Sequence, residues 1–314
     1  MVLRGKSPLR ISLAGGGTDL AYIFERFGGA VVNFTIDKYC HMSIEKREDN
    51  LIFVNGKILD INEVLTEKVV EFFKPNFGFN LIYYNDIEPG SGLGSSSSFV
   101  VLLLTLLNEL NGVVKIDSDI VKDAWEIEET IKEGGWQDQY ATSIGGFNFM
   151  EFNKKTLIYP LRLRHRYLQE LSEHLLLIKI EGNKDEVYKD IHKELREYSE
   201  KDLNELDRTR QIKDLAFKAR DALLNQNVEV IGQILDYNWI LKRNKFTSNE
   251  KLDKLYELAK KNGAEGGKIC GSGQAGHFLF FVKPENRRKL IESLKDYERV
   301  NFNISVHGTE TWRV

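Results

Sequence analysis

A glycine- and serine-rich segment at residues 89–98 has the composition of a phosphate-binding loop. It contains three glycines and five serines, and an apolar run from Phe99 to Leu110 follows it directly. Glycines let backbone N–H groups turn towards an anion, and the start of a helix adds free N–H donors and the positive end of the helix dipole. A flexible linker is the alternative interpretation, but a linker does not run into a strongly apolar helix.

This segment lacks the Gly-x-x-x-x-Gly-Lys-Ser/Thr pattern of a Walker loop. Its serine hydroxyls are nevertheless suited to bind phosphate oxygens or a magnesium ion. The residues that we expect to contact phosphate are Gly90, Ser91, Gly92, Leu93, Gly94, Ser95, Ser96 and Ser97.

A second group of residues lies near the N-terminus, where a strand-like run ends in three glycines and a Thr-Asp pair. Arg10 alternates with the apolar Leu9 and Ile11, so its side chain projects from the opposite face of the strand. A guanidinium there could stabilise the charge on a transferring phosphoryl group. The glycines would let hydroxyl groups approach the backbone, and Asp19 could accept hydrogen bonds from a polyol. A surface arginine followed by a plain helix cap is the alternative.

Four carboxylates form the third group. Glu126, Glu128 and Glu129 lie on one predicted helix, and Asp138 follows ten residues after Glu128. A carboxylate on a helix can hold magnesium together with a loop serine. A second carboxylate can orient an acceptor hydroxyl and take its proton, as phosphoryl transfer requires. The alternative for the glutamates is an exposed acidic helix face.

The segment Gly271–Gly276 matches the Gly-x-Gly-x-x-Gly pattern of dinucleotide-binding proteins, but its context is wrong. A strand-like run, His277 to Val282, follows it, whereas a dinucleotide site needs a helix there and a parallel βαβ unit around it. We therefore expect a tight turn that packs against the phosphate loop.

Hydrophobic periodicity and turn residues predict the elements that must hold these groups. Strands are predicted at residues 9–13, 30–45, 80–84, 145–152, 156–163, 267–270, 277–282 and 300–306. Helices are predicted from Thr18-Asp19 to about residue 27, over 62–73 with Asn62 as the cap, after the serines, and over 118–132, 228–241, 249–261 and 285–294. The charged stretch 185–224 is predicted to be a surface helix or a helix pair.

Composition and charge exclude several classes of protein. The chain has 314 residues, 42% of them hydrophobic and 29% charged, which is typical of a soluble protein with two domains or one large domain. A net charge of −3 gives no bulk attraction to nucleic acid or an anionic membrane. The longest apolar run is too short to span a bilayer, and the first residues lack the apolar core of a signal peptide. We expect a cytoplasmic protein with buried thiols at Cys40 and Cys270, and no zinc site among its scattered histidines.

Taken together and in this order, these segments resemble the GHMP kinase family, which includes galactokinase, homoserine kinase, mevalonate kinase and phosphomevalonate kinase. The strings that carry the resemblance are Pro8–Ser12, Ala14–Asp19, Gly29–Asn33, Thr35–Tyr39, Trp136–Ala141 and Gly145–Phe149. Within the family, the chain is most similar to the branch that acts on a phosphorylated heptose. Galactokinases carry Glu-His where this chain has Gly16-Gly17, which disfavours galactose as the acceptor.

The resemblance implies an α+β fold of two domains. Residues 1–165 would form a domain like ribosomal protein S5 domain 2, with a left-handed βαβ crossover and the phosphate loop. Residues 166–314 would form a ferredoxin-like α+β domain, and ATP and the acceptor would bind between the two.

Residue roles also follow from the resemblance. Asp138 corresponds to the catalytic base or orienting carboxylate, and Arg10 to the basic residue at the transferring phosphoryl group. Ser96 and Glu128 correspond to the Mg²⁺ ligands, although the spacing to Asp138 keeps Glu126 and Glu129 as alternatives. The acceptor contacts correspond to Gly16, Gly17, Thr18, Asp19 and Asp138. The candidates for contact with the phosphate of the acceptor are Lys184 and the cluster Arg162, Arg164 and Arg166, and for each of them a solvated basic side chain is the favoured alternative.

The implied reaction is ATP- and Mg²⁺-dependent phosphorylation of the anomeric hydroxyl of a heptose 7-phosphate. The resulting 1,7-bisphosphate would supply nucleotide-activated heptose for surface polysaccharide. The alternatives are a kinase for another sugar such as fucose, a kinase for mevalonate, and a catalytically silent protein that senses a nucleotide or sugar.

Overall fold

Two β-sheets and the helices packed on them make up the computed structural model, which describes residues 1–60, 62–181, 203–244 and 246–314. The strands are β1 Val2–Ala14, β2 Gly29–Lys46, β3 Ile52–Val54, β4 Lys57–Ile58, β5 Phe79–Asn85, β6 Phe147–Phe152, β7 Thr156–Leu161, β8 Leu175–Ile180, β9 Ala264–Ile269, β10 Gly276–Val282, β11 Arg299–Val300, β12 Ile304–Ser305 and β13 Glu310–Arg313. The helices are α1 Ala21–Phe27, α2 Val64–Phe73, α3 Ser95–Leu110, α4 Asp117–Glu129, α5 Gln137–Ile144, α6 His165–His174, α7 Leu203–Leu224, α8 Val228–Lys242, α9 Glu250–Lys261 and α10 Pro284–Ser293.

Within the described residues, the first sheet has nine strands and is organised by the long antiparallel pair β1 and β2. The first part of β2 also pairs with β6, and its last part pairs with β5, so that one strand links two separate portions of the sheet. The β1–β2 register shifts between Pro8 and Leu9 and again between Ser12 and Ala14. Such irregularities re-aim side chains, and these two lie on either side of Arg10.

In the described residues, the second sheet has four antiparallel strands in the order β11-β8-β10-β9. In chain order, α7, α8 and α9 lie between β8 and β9, β10 follows β9 directly, and α10 lies between β10 and β11, which is a β-α-β-β-α-β arrangement with extra helices in its first crossover. The predicted α+β fold with a ferredoxin-like second half is therefore confirmed.

The helix α3 is the central support of the phosphate loop. Thirteen of its 16 residues are buried, because β1 and β2 cover one side and α2, α4 and α5 cover the other. A helix that is apolar on nearly all sides is stable only in such an enclosed position. The loop that precedes α3 is therefore attached to one of the most deeply buried elements of the chain.

One hydrophobic core extends from the first sheet to the second. Ile11 and Phe34 of the first sheet belong to the same cluster as Leu279 of β10, and Ala216 of α7 and Leu235 of α8 lie in that cluster too. The two helices thus fill the space between the sheets. A continuous core of this kind fixes the elements that border the cleft described below.

The sequence predicted most elements, but it misjudged two helix starts. The N-cap of α2 is Glu63, not Asn62, and α1 begins at Ala21 after Leu20, so neither predicted cap makes a capping hydrogen bond. By contrast, the side chain of Asn249 accepts a 3.0 Å hydrogen bond from the backbone of the first turn of α9. Short polar residues favour turns as well as caps, which is why composition alone did not separate the two.

The predicted strand at 300–306 is in fact two short strands in different sheets. Strand β11 joins the second sheet, whereas β12 and then β13 pair with β2 and β1 of the first. An apolar pattern shows that a segment is extended but not which strand it pairs with. The division into residues 1–165 and 166–314 stays a prediction. The structure shows in addition that β12 and β13, at the end of the chain, pair with strands of the first sheet.

Several other expectations concern single segments. Cys40 and Cys270 are both buried and form no disulfide within the described chain, as predicted. The charged stretch 185–224 is helical from residue 203 onwards, and residues 185–202 lie outside the described residues. Across the described ranges, every helix falls short of the length and apolar character that a transmembrane segment needs.

Candidate active site

The predicted site residues line one cleft, except Ser91 and Leu93, which are buried behind the loop. The loop before α3, the glycine turn after β1, the end of α4 and the start of α5 supply one part of its wall. The end of α8, strand β9 and the turn at residues 271–275 supply the opposite part. The structure therefore brings together segments that are far apart in the sequence, from Arg10 to Ala275.

The loop at residues 90–97 is held in a conformation that requires glycine. Gly94 caps α3 with a left-handed φ of 76°, and Gly92 has a φ of 73°. A side chain at Gly92 would also collide with the carbonyl oxygen of Cys270, since its Cβ would lie 2.5 Å away. The side chain of Leu93 is fully buried and its carbonyl accepts a 2.9 Å hydrogen bond from the backbone of Arg10, which anchors the loop to β1.

The second glycine-rich turn, Gly271–Gly276, packs against this loop and leads into β10, as the sequence predicted. A Cβ at Gly271 would lie 2.6 Å from the Cα of Gly92. His277 donates from Nδ1 to the Ser91 carbonyl at 2.8 Å. Burial lowers the pKa of His277 even though that hydrogen bond acts to raise it. The turn thus supports the phosphate loop and does not open a dinucleotide-binding βαβ unit.

Arg10 and Asp138 form a two-pronged ion pair in the cleft. The Nε and Nη2 atoms of Arg10 donate to the two carboxylate oxygens of Asp138 at 2.7 and 2.6 Å, and Nη1 donates to the Gly92 carbonyl at 2.6 Å. Only 5% of Arg10 is exposed. Burial acts to lower the pKa of Arg10, but the charge and hydrogen bonds of Asp138 outweigh it and raise that pKa. The surface-arginine alternative is wrong.

Asp19 holds the start of α5 beside this pair. Its carboxylate accepts hydrogen bonds from the backbone N–H of Gly17 at 3.0 Å and from the backbone and side-chain N–H groups of Gln137 at 3.1 and 3.0 Å. Burial, and then the charge of Asp138, raises the pKa of Asp19 despite these donors. Asp19 therefore orients the glycine turn and α5 and is not a simple helix cap.

The other residues of the glycine turn have different surroundings. The hydroxyl of Thr18 lies 2.8 Å from the carbonyl of Gly15 and accepts a 3.0 Å hydrogen bond from the backbone of Ala30, so it ties the turn to β2. Gly16 and Gly17 line the cleft. Contact of these residues with a ligand stays a prediction.

Of the three candidate glutamates, Glu128 is the one that meets the serines of the loop. It accepts hydrogen bonds from Ser96, from Ser97 at 2.7 Å and from Gln139 at 2.6 Å. Burial raises the pKa of Glu128 although these three donors act to lower it, and the charge of Asp138 adds to the rise. A buried carboxylate beside hydroxyl groups is a set of hard oxygen donors that suits Mg²⁺.

The two alternative glutamates differ in position. Glu126 is exposed and lies 3.8 Å from Lys122 on the outer face of α4. Glu129 lines the cleft, but it accepts a 2.8 Å hydrogen bond from the backbone of Gly134. Among the described residues, no three histidine, cysteine or acidic side chains cluster closely enough to hold a metal by themselves.

Two lysines that the sequence analysis did not single out complete the opposite wall. Lys268 of β9 is 1% exposed and donates to the Ser12 carbonyl at 2.7 Å, while Lys242 at the end of α8 donates to the Gly271 carbonyl at 2.5 Å. Burial, with the nearby charge of Lys268 and Arg10, lowers the pKa of Lys242 to about 7. Burial and the charge of Arg10 lower the pKa of Lys268 to about 8. The sequence signal for this part of the wall was the position of Lys268 inside a predicted strand, between Gly267 and Ile269.

The arginine cluster considered for the acceptor phosphate is solvated, which is the alternative that the sequence favoured. Arg162, Arg164 and Arg166 are exposed, and none of them lines the cleft. Lys184 lies outside the described residues.

Comparison with known proteins gives concordant matches. A family model described as GHMP kinases N terminal domain matches residues 63–146, and one described as GHMP kinases C terminal matches residues 219–299. The D-glycero-alpha-D-manno-heptose 7-phosphate kinase of Campylobacter jejuni subsp. jejuni serotype O:2 is 34% identical, over 99% of each chain. A bifunctional fucokinase/GDP-fucose pyrophosphorylase of Arabidopsis thaliana is 25% identical over 78% of this chain and 24% of its own. The crystal structure of a D-glycero-D-manno-heptose 1-phosphate kinase from Bacteriodes thetaiotaomicron has a TM-score of 0.80 at 27% identity, with 99% of both chains covered.

The buried lysines predict a characteristic dependence of stability on pH. Because the pKa of Lys268 is about 8 in the fold and about 10.4 in an unfolded chain, the unfolded state binds more protons between these values, and stability rises with pH there. In Lys268→Met this rise is lost. The unfolding free energy of the wild type, minus that of the variant, should increase by roughly 2 kcal/mol from pH 7 to pH 10.

Urea unfolding at several pH values measures this difference. Lys261→Met, which alters an exposed lysine in the last turn of α9, is the control and should show no such trend. A difference for Lys268→Met that stays constant with pH would show that Lys268 keeps an ordinary pKa in the fold.

Proposed function

Because the chain belongs to the GHMP kinase family, we propose that it transfers the terminal phosphoryl group of ATP to the anomeric (C1) hydroxyl of D-glycero-D-manno-heptose 7-phosphate, forming the 1,7-bisphosphate. That the chain is a sugar kinase follows from the family and its relatives. The acceptor, the hydroxyl and the residue roles are proposed. The observation that carries the proposal is the ion pair between the buried Arg10 and the half-buried Asp138, beside a glycine loop at a helix start, in a chain similar over 99% of its length to a heptose 7-phosphate kinase.

On the donor side, the phosphates of ATP bind at the start of α3. The first N–H groups of a helix have no partners within it, and those of Ser95, Ser96 and Ser97 are in this position. The first turn of α3 contains no acidic residue that would compete for the positive end of the helix dipole. Loop and helix together form a rigid anion site because Leu93 and Gly92 are tied to β1.

Ser96 and Glu128 hold the Mg²⁺ that accompanies ATP. Both side chains are oxygen donors, they already meet in the cleft, and Glu128 is buried where a cation would offset the cost of its charge. The bound ion supplies neutralisation of the phosphate charge that develops during transfer. Gln139 keeps the Glu128 carboxylate in place by donating to it at 2.6 Å.

On the acceptor side, Asp138 orients the reacting hydroxyl and takes its proton. Arg10 fixes both carboxylate oxygens, so Asp138 cannot rotate away from the hydroxyl. The guanidinium carries five N–H groups, and the two that remain after these contacts and the Gly92 bond are available to the transferring phosphoryl group. Positioning and charge neutralisation therefore supply most of the catalysis.

The glycine turn leaves room for a large acceptor. A Cβ at Gly17 would meet nothing within 4 Å, so a longer side chain here would extend into open space at the cleft. Gly16-Gly17 thus favours a heptose phosphate over galactose, and Asp19, which lines the same cleft, would accept a hydrogen bond from a sugar hydroxyl. The product would supply nucleotide-activated heptose for surface polysaccharide.

A kinase for a free sugar such as fucose is the second candidate, and mevalonate is a further possible acceptor. The similarity to a bifunctional fucokinase over 78% of the chain favours the free sugar. A catalytically silent sensor of a nucleotide or sugar is disfavoured by the intact set of Arg10, Ser96 and Asp138.

A panel of acceptors distinguishes these candidates. In a coupled assay of ADP release, kcat/KM for D-glycero-D-manno-heptose 7-phosphate should exceed that for the unphosphorylated heptose, fucose, galactose and mevalonate by at least ~100-fold, because a site built around polar groups rejects analogues that leave them unpaired. Phosphorus NMR of the product should show a new phosphate on the anomeric carbon. A preference for fucose or mevalonate would refute the acceptor, and ATP binding without any turnover would favour the sensor.

Replacement of the proposed base tests the mechanism. Asp138→Asn should lower kcat by at least ~100-fold, since a carboxamide can still accept one of the two hydrogen bonds from Arg10 but cannot take a proton. The Kd for ATP should change little.

Asp49→Asn is the matched control, because Arg47 holds Asp49 with the same two-pronged geometry at 2.7 and 2.6 Å on the exposed surface. Its kcat should equal that of the wild type. Turnover near the wild-type value in Asp138→Asn would remove Asp138 from the mechanism.

The metal assignment is tested by the Mg²⁺ dependence of the initial rate. Ser96→Ala and Glu128→Gln should raise the Mg²⁺ concentration for half-maximal rate by at least ~10-fold, because the first removes a hydroxyl ligand and the second replaces a charged carboxylate with a neutral amide. Glu126→Gln, on the exposed face of the same helix, should leave it unchanged. If only Glu126→Gln or a Glu129→Gln variant alters the requirement, the ligand has been assigned to the wrong glutamate.

A further inference from the structure

Three polar side chains of the cleft take no part in the mechanism above. They are Ser12 of β1, Lys242 at the end of α8 and Lys268 of β9, and all three line the cleft. The two lysines belong to the part of the wall that α8 and the second sheet supply, and Ser12 lies where β1 meets that part, because its carbonyl accepts a hydrogen bond from Lys268.

Ser12 offers a buried hydroxyl without a protein partner. The residue is 4% exposed, and among the described residues nothing accepts from or donates to its Oγ. The hydroxyl faces the glycine turn, since a Cβ at Gly16 would lie 2.7 Å from it. A buried hydroxyl that forms no hydrogen bond is costly, so a ligand in the cleft is the natural partner.

The two lysines offer unpaired positive charge next to that hydroxyl. Each ammonium group has three N–H donors and uses one of them within the protein. Lys268 donates to the carbonyl of Ser12, and Lys242 donates to the carbonyl of Gly271. Neither lysine forms an ion pair with any carboxylate in the part of the chain that the structure describes. Arg10 is a third cation, and Asp138 neutralises its charge. This ion pair therefore leaves the positive charge of the two lysines unbalanced.

A phosphate group is the ligand that these features fit best. Cations that are removed from water need a counter-charge. Two ammonium groups and one hydroxyl match a dianion that has several acceptor oxygens. The helix start that binds the ATP phosphates belongs to α3, whereas these groups belong to β1, α8 and β9. The second location is thus built from different elements.

We propose that Ser12, Lys242 and Lys268 form a second phosphate-binding subsite of the cleft, separate from the loop at the start of α3. Its link to a phosphorylated acceptor rests on the proposed function. A phosphate group at this subsite comes either from the acceptor or from the end of the ATP chain, and both sources share the same chemistry. Two independent experiments test the subsite and identify the source.

The first experiment measures binding of inorganic phosphate and does not depend on turnover. The protein is saturated with MgADP, so that the loop before α3 is filled, and phosphate is titrated while lysine side-chain signals are followed by NMR. Phosphate should shift the signals of Lys242 and Lys268. Its Kd should rise by at least ~10-fold in Lys242→Met and Lys268→Met, the loss expected for one charged hydrogen bond.

Three further variants guard against a general loss of structure. Ser12→Ala removes only an unpartnered hydroxyl and should still weaken phosphate binding by several-fold. Lys242→Arg keeps the charge and should bind phosphate more tightly than Lys242→Met. Lys261→Met alters an exposed lysine and should bind phosphate like the wild type. Wild-type affinity in Ser12→Ala, Lys242→Met and Lys268→Met together would overturn the proposal, as would no binding to the wild type.

The second experiment separates the two sources by steady-state kinetics. If the acceptor's phosphate binds here, Lys242→Met and Ser12→Ala raise KM for the phosphorylated acceptor and leave KM for ATP and for an unphosphorylated sugar unchanged. If the terminal phosphate of ATP binds here, KM for ATP rises instead. Unchanged KM values for both substrates would contradict the subsite. Should no acceptor be phosphorylated at all, the proposed function fails, but the phosphate titration still decides on the subsite.

Discussion

The buried guanidinium of Arg10 is the contact on which the rest of the cleft depends. It binds Asp138 at the start of α5 and the carbonyl of Gly92 in the phosphate loop, while its own backbone lies in β1. A strand, a loop and a helix are thereby fixed to one planar group. Only arginine has a rigid fork that can do this, so lysine would not be an equivalent replacement. Removal of one partner would leave a buried charge unpaired, which typically costs about 3–5 kcal/mol.

The cleft concentrates charge that the fold by itself does not favour. Burial raises the pKa of Asp19 and Glu128 and lowers that of Lys242 and Lys268, which means that each group is held where its charged form is less stable than in water. Such arrangements reduce stability in the free protein and are retained where a ligand offsets them. The carboxylates and the lysines lie on different walls, so the cleft presents separate environments to a cation and to an anion.

The sequence predicted the elements better than their ends and their partners. Apolar periodicity located α3, the strand pair β1 and β2 and the strands on both sides of the turn Gly271–Gly276, because that pattern is local and strong. It did not show that Asn62 is not a cap or that Asp19 binds Gln137, since short polar side chains serve caps, turns and tertiary contacts alike. It also joined β11 and β12 into one strand, although they pair with different sheets.

The sequence by itself determined that a glycine- and serine-rich loop precedes an apolar helix. Its resemblance to a known family suggested that Arg10 and Asp138 serve one reaction, but no local pattern predicted the helix α5 that holds Asp138. Only the tertiary structure decided that Glu128, and not its neighbours on α4, accepts a hydrogen bond from Ser96. The same is true of the hydrogen bond that Lys268 donates to the carbonyl of Ser12. The members of these pairs are 32 and 256 residues apart in the chain. Local patterns report which face of an element is buried, but they carry no information about which distant segment covers it, because that is settled by the packing of the whole core.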